Sequence, residues 1–303
     1  MNTSQVIPRP TASLSTLPLM AALLLFDSFH FVFARLLLPL ISPRVSAMYV
    51  MGIATIIVGV YGLATRQLNW RVLKTKWLFF VLIGFFIAGS TNLTYIAVGY
   101  VDPGAAALIA QLSTPLSVAL GIFWLKEHFT RGQVLGALLA TLGACIIALQ
   151  PGDFFRIGSL MIMAATTLYT AHTALVKRNG DLDFVNFFFF RLLFTTIWLF
   201  IFPALQGQLA WPQPAAWPLL LLIGVVDIVT SRWLYYMALR RLNLSVHAVV
   251  MTFAPVIAVL WSLVFLHVVP SWQQALGGTV VVMGVLLVTV MRGREGWGVK
   301  RAA

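Results

Sequence analysis

Charge is what this sequence has least of. Twenty basic and eight acidic residues serve a chain of 303, so that only 9% of positions are charged, against roughly a quarter in soluble domains. So few charges cannot solvate a surface of this size, which excludes a soluble enzyme and a soluble nucleic-acid-binding domain. Cysteine is nearly absent as well. Cys145 stands alone, so an intrachain disulfide and a cysteine metal cluster are both impossible. There is no Gly-x-x-x-x-Gly-Lys run to cradle a nucleotide, no lysine in the middle of an apolar segment to hold retinal, and no Asp-rich metal–pyrophosphate motif. The five histidines show no i, i+4 ligand pairing, so no metal is expected and no cofactor is implied.

Apolar residues fill the space. They make up 60% of the chain, and the mean hydropathy is +0.95. A membrane-spanning helix needs about 20 mostly apolar residues. Ten such windows can be read, at 14–40, 45–64, 77–98, 103–125, 132–149, 158–176, 184–202, 217–239, 244–268 and 272–291. The runs are continuous rather than alternating, which excludes a membrane β-barrel. The first run is too long for a cleavable signal peptide. Connections are short and rich in Pro, Gly, Asn and Asp, leaving no room for a domain outside the membrane. The expected fold is an all-α integral membrane protein of ten transmembrane helices.

The net charge of +12 then reads as topology. With the N-terminus in the cytoplasm, fifteen of the twenty cations fall in cytoplasmic segments. Only Arg44 and Arg156 fall outside, and Arg35, Arg191 and Arg232 lie within spans. That bias over short loops places both termini in the cytoplasm. It leaves nothing for a polyanion, so no nucleic-acid partner is expected. Trp77 and Trp124 at inner ends and Trp211, Trp217 and Trp272 at outer ends form the interfacial belts.

The second half repeats the first. Leu135-Gly136 with Gly143 recurs as Leu276-Gly277 with Gly284, and Tyr95-x-Ala97 recurs as Tyr236-x-Ala238, both at a shift of 141. Pro115 recurs as Pro255 at a shift of 140. Spans 3–5 therefore map onto spans 8–10, which divides the chain into five-helix units at 1–150 and 151–303. Five is an odd number, so the second unit is inverted relative to the first. Inverted repeats let two halves rock around a site near the midplane, which is a transporter plan.

The stretch 105–149, with Pro115 in mid-span, Leu125-Lys126-Glu127, Gln133, and Leu135-Gly136 followed by Gly143, resembles the EamA domain of the drug/metabolite transporter superfamily. The two-repeat plan extends the resemblance over almost the whole chain. The second copy departs from the pattern where His267 takes the place of the loop glutamate. Within that superfamily the chain is most similar to exporters of aromatic amino acids and related cations. The resemblance implies a secondary exporter of the bacterial inner membrane, without an ATPase domain.

Ionisable groups at bilayer depth are costly, roughly 2.5–3.5 kcal/mol at a helix centre, so each asks for a reason. Asp27 lies at the middle of span 1 with His30 one turn further on, and Asp227 lies at the middle of span 8. They are candidates for substrate binding or proton coupling; the alternative is a carboxyl that only ties helices together. On an α-helix Arg232 points about 140° away from Asp227, so Arg232, like Arg35 and Arg191, is expected to snorkel toward a span end. His172, His247 and His267, near span ends, are expected to make interfacial hydrogen bonds. Tyr95, Gln111, Tyr169, Trp233 and Tyr236 are candidate cavity residues, the aromatic ones for stacking on an aromatic or cationic group. Pro115 and Pro255 are candidate hinges. Gly132-x-x-x-Gly136 fits close helix packing, within the chain or in a dimer.

The expected function is export of a small amphipathic metabolite, aromatic amino acids first, by alternating access. A drug or quaternary-cation exporter is the alternative within transport; an intramembrane lipid-modifying enzyme and a channel are alternatives from other classes. The partners expected are the small-molecule substrate and membrane lipid, with the chain a monomer or weak homodimer.

Overall fold

The computed structural model describes residues 17–124, 130–148, 157–178, 183–241 and 251–298, and among them the protein is an all-helical bundle without strands. Nine helices among these residues are long and apolar enough to cross a membrane. They are Pro18–Leu37, Pro43–Ala64, Trp70–Ala97, Pro103–Phe123, Arg131–Ala148, Ile157–Arg178, Phe184–Leu205, Pro214–Tyr235 and Trp272–Val290, and they correspond to spans 1–8 and 10 of the sequence. Span 9 is represented by the 13-residue helix Ala254–Leu266; its expected start at 244–250 lies outside the described residues, as does His247.

Local chemistry sets the helix ends. Pro43 and Pro103 occupy the first turns of spans 2 and 4, where a missing N–H costs nothing. Asp102 and Asp183 are caps: Asp102 Oδ1 accepts from the Ala105 N–H at 2.8 Å, and Asp183 Oδ2 from the Val185 N–H at 3.1 Å. Two of the eight acids are thereby accounted for by helix termination. Span 3 begins earlier than the apolar window suggests, at Trp70, and kinks at Lys76, whose φ of −121° and ψ of 27° are non-helical. The added segment carries Arg71, Lys74 and Lys76, cations that no apolar window includes. His267 ends span 9 in a left-handed conformation, φ 54°, with its N–H bonded to the Leu263 carbonyl at 3.1 Å.

Antiparallel alternation follows from the bonds between helix ends. Asn69 N–H donates to Asn186 Oδ1 at 2.7 Å, and Asn186 Nδ2 donates to the Gln67 carbonyl at 3.0 Å, joining the spans 2–3 turn to the start of span 7. At the other face Arg44 donates to Gln206 and Gln208, joining the start of span 2 to the end of span 7. Tyr49, Trp211 and Trp217 cluster on that second face, with ring centroids 5.6–6.1 Å apart, where an aromatic belt is expected.

The halves meet about a pseudo-two-fold. Span 5 packs along span 10, span 2 along span 7, and span 4 against span 9, while span 3 packs on span 6 as span 8 does on span 1. Exchanging each span with the one five places on reproduces the set, as inverted repeats require. The repeated glycines form the tightest part of this seam. Gly136 lies against the Gly284 carbonyl and Gly143 against the Gly277 carbonyl, each position so close that an added Cβ would collide with backbone. The Gly132-x-x-x-Gly136 pattern is thus engaged within the chain at Gly136. Two apolar cores flank the seam: one draws mainly on spans 1, 2, 3, 7 and 8, the other on spans 3–6 and 10.

Candidate functional site

Both mid-membrane carboxylates sit where a span departs from α-helical geometry. Span 1 was expected to be continuous; it is two segments, Leu17–Asp27 and His30–Leu37. At the join Phe29 N–H bonds the Phe26 carbonyl, three residues back, and Ser28 Oγ bonds the Leu25 carbonyl at 3.0 Å. Span 9 holds the break in place. Trp261 Nε1 donates to Ser28 Oγ at 2.9 Å, and the Trp261 ring stacks on Phe29 with centroids 4.4 Å apart. Asp27 therefore ends one helix segment, and His30 begins the next.

Asp227 lies in a π-helical stretch, Gly224–Thr230. Bonds from i to i+5 put more residues in a turn than the α-helix's 3.6, which brings position 232 closer to the face of position 227. The 140° separation holds only for α geometry, and the expectation that Arg232 snorkels fails with it. Arg232 Nη2 donates to Asp27 Oδ1 at 2.8 Å, and Ser231 Oγ donates to the same oxygen at 3.0 Å. Asp227, wholly buried, is 2.8 Å from His30 Nδ1 through Oδ2. Each pair takes its acid from one half of the chain and its base from the other.

Tyr95 joins this cluster from span 3. It is 1% exposed, and its ring lies edge-on to His30 at 6.3 Å. Its hydroxyl and Asp227 Oδ1 are buried without hydrogen-bond partners among the described residues, so the cluster retains capacity for a ligand. The structure thus brings together Asp27, His30, Tyr95 and Asp227. Tyr169, on span 6, is half-exposed with its ring 5.9 Å from His172 and its phenol within electrostatic reach of Arg191 and Arg232.

Other candidates lie apart or outside view. Trp233 packs edge-on to Tyr61 and Phe184 and lines an apolar groove with Ile57, Val58 and Val229, a groove that contains none of the charged residues. Gln111 is half-buried in the 3₁₀ turn Ala110–Leu112 that interrupts span 4. Pro115 follows that turn inside Ser113–Phe123, and Pro255 is the second residue of Ala254–Leu266. The backbone of Tyr236 is helical, while its side chain lies outside the described residues.

Sequence reasoning missed the cations of the site. Arg191 is half-buried beside Phe188, its Cζ 5.6 Å from the ring centroid, and lies about 10 Å along span 7 from Phe184 at 1.5 Å per residue. That depth was the available signal against snorkelling. Arg35 reaches a span end, where its Nη1 donates to the Val98 carbonyl that closes span 3. His172, expected at the interface, is 4% exposed with both ring nitrogens unpartnered among the described residues. Several threonines on span 6 bond their own helix: Thr167, Thr170 and Thr173 each donate to the carbonyl four residues back. Among the described residues no group of three His, Cys, Asp or Glu could hold a metal ion.

Ten spans in two antiparallel halves, with opposed charges on interrupted helices at mid-depth, make up the plan of a membrane transporter built from inverted repeats. The chain belongs to the EamA-like transporter family, which matches residues 14–149 and 156–290. It is 28% identical over 201 residues to the uncharacterized transporter YdfC of Bacillus subtilis (strain 168), a match covering 61% of this chain and 62% of YdfC. The chain thus spans about three fifths of that relative. It is 24% identical over 205 residues to the "Probable terminal-alkyne amino-acid exporter" of Streptantibioticus cattleyicolor, covering 65% of this chain and 68% of that protein. A solved crystal structure at 20% identity shares the fold, with a TM-score of 0.67 over 93% of this chain and 98% of the other.

Proposed function

We propose that this transporter exports small zwitterionic amphipathic metabolites, aromatic amino acids first among them, from the bacterial cytoplasm. The observation that carries the reading is the coexistence of both charge signs in one cluster, Asp27 with Arg232 and Asp227 with His30. In a low-dielectric interior an ammonium and a carboxylate each need an opposite partner. A quaternary-cation exporter has no use for basic side chains in its binding cluster, and here two of them, Arg232 and His30, lie among the carboxylates. Tyr95, Tyr169 and the Phe29–Trp261 stack supply aromatic surface near the charges. The amino-acid exporter among the relatives supports the same substrate class.

The units 1–150 and 151–303 act as the moving halves, with Pro115 and Pro255 as hinges in equivalent spans. The protein works in the inner membrane as a monomer or weak homodimer, both termini in the cytoplasm, without a cofactor and without enzymatic turnover. Purified protein in liposomes should exchange labelled L-phenylalanine with saturable kinetics and without electrical current of channel size. Failure to exchange any amino acid refutes the substrate class; unsaturable, current-carrying flux refutes the carrier. Repeating the assay with and without an imposed proton gradient assigns the coupling.

A further inference from the structure

We propose that Arg191 on span 7 and His172 and Tyr169 on span 6 form an anion subsite that takes the carboxylate of the substrate. It lies beside the Asp27–Arg232 and Asp227–His30 pairs, which leaves the two acids to receive the ammonium. The proposal rests on the zwitterionic substrate argued above and assigns the substrate's orientation.

The carrying observation is an unmatched cation. Within the spans the described carboxylates are Asp27 and Asp227, and each already has a basic partner. Arg191 has no carboxylate within salt-bridge distance among the described residues, and its Nε is buried with no hydrogen-bond partner. The Phe188 ring 5.6 Å away, on the same helix, offers only part of what a counterion provides. A guanidinium so deep in a membrane protein calls for an anion, and its planar fork suits a carboxylate.

The second observation is His172. It is 96% buried, both ring nitrogens lack partners among the described residues, and it lies within electrostatic reach of Arg191. A buried imidazole with an unused donor has room for one acceptor that the chain does not supply. Tyr169 completes the set: its ring lies 5.9 Å from that of His172, its phenol is within reach of both Arg191 and Arg232, and at 41% exposure it leaves the subsite accessible. An arginine without a counterion and a histidine without partners among the described residues, within electrostatic reach of each other, are both satisfied by a single anion.

The test uses the full chain in nanodiscs and three labelled probes of one shape. L-Phenylalanine carries both charges, 3-phenylpropionate only the carboxylate, and phenethylamine only the ammonium. Arg191→Gln should weaken binding of the two carboxylates by about tenfold or more and leave phenethylamine nearly unchanged. Arg191→Lys should recover part of the loss, and His172→Gln should show the same selectivity to a smaller degree. The amine probe reports whether each variant remains folded. Equal weakening of all three probes, carboxylate binding spared in both Arg191→Gln and His172→Gln, or a wild-type protein that binds neither carboxylate overturns the subsite. If 3-phenylpropionate binds through Arg191 while L-phenylalanine does not bind, the amino-acid reading falls and the anion subsite stands.

Discussion

The pair joining Asp27 to Arg232 lends itself to a quantitative test. The two groups belong to opposite halves of the chain and meet at 2.8 Å. With charge centres roughly 4 Å apart and an effective dielectric of 20, the attraction is about 4 kcal/mol. Both side chains are partly exposed, Arg232 at 29% and Asp27 at 17%, so screening reduces this to about 2 kcal/mol, still above the range of fully exposed pairs. Asp27→Asn leaves a guanidinium unmatched beside Arg191; Arg232→Gln leaves a carboxylate facing Asp227. Each should destabilise the protein by about 2–3 kcal/mol. The double variant removes a neutral pair and should cost about 2 kcal/mol less than the sum of the single variants, a factor of about thirty in the unfolding equilibrium. Titration with sodium dodecyl sulfate in mixed micelles, followed by fluorescence of the ten tryptophans, measures all four corners of the cycle. A coupling below about 0.3 kcal/mol means the pair contributes nothing, and the electrostatic reading of the site fails with it.

Four further outcomes follow from the same structure. Gly143→Val places side-chain carbon against the Gly277 carbonyl and the Val281 N–H and should abolish a monodisperse peak in size-exclusion chromatography. Gly207→Ala, at a φ of 63° with nothing within 4 Å, should cost only about 1 kcal/mol by the detergent titration. Tyr95→Phe removes a buried hydroxyl that has no partner among the described residues; stability should stay the same or rise, while L-phenylalanine binding weakens by about tenfold. Loss of stability without loss of binding would make Tyr95 a packing residue. His30→Gln removes the one titratable base on Asp227 and should flatten the dependence of exchange on pH between about 5 and 8; an unaltered profile takes His30 out of the coupling.

The fold was legible because membrane insertion imposes long apolar windows that sequence displays directly, and because the glycines that build the seam are the same ones that reveal the repeat. The acids of the site were legible for the same reason: Asp27 and Asp227 stand alone in apolar runs. Their partners were hidden by local geometry. The π-helical stretch at Gly224–Thr230 carries no motif, yet it turns Arg232 toward Asp27. The break after Asp27 is braced by Trp261, which bonds Ser28 from 233 residues away in sequence. Arg191 and His172 were assigned to the interface from their distance to a span end, and burial by the neighbouring helices overrode that rule. Trp233 shows the converse, an aromatic residue at a promising depth that packs into an apolar groove.

The glycine seam between spans 5 and 10 has a consequence for how this chain can change over generations. Where two side chains collide, an enlargement on one helix can be rescued by a reduction on the other. At Gly136, Gly143 and Gly284 the nearest opposing atom is peptide backbone, which no substitution can shorten, while at Gly277 it is the Ile147 side chain, with the Gly143 carbonyl close behind. A bulkier residue at Gly136, Gly143 or Gly284 meets backbone that no complementary substitution removes, so relief requires the helices themselves to move apart. The duplicated halves are therefore free to diverge in the residues that line the site, while the join that holds them together stays tied to the hydrogens of those glycines.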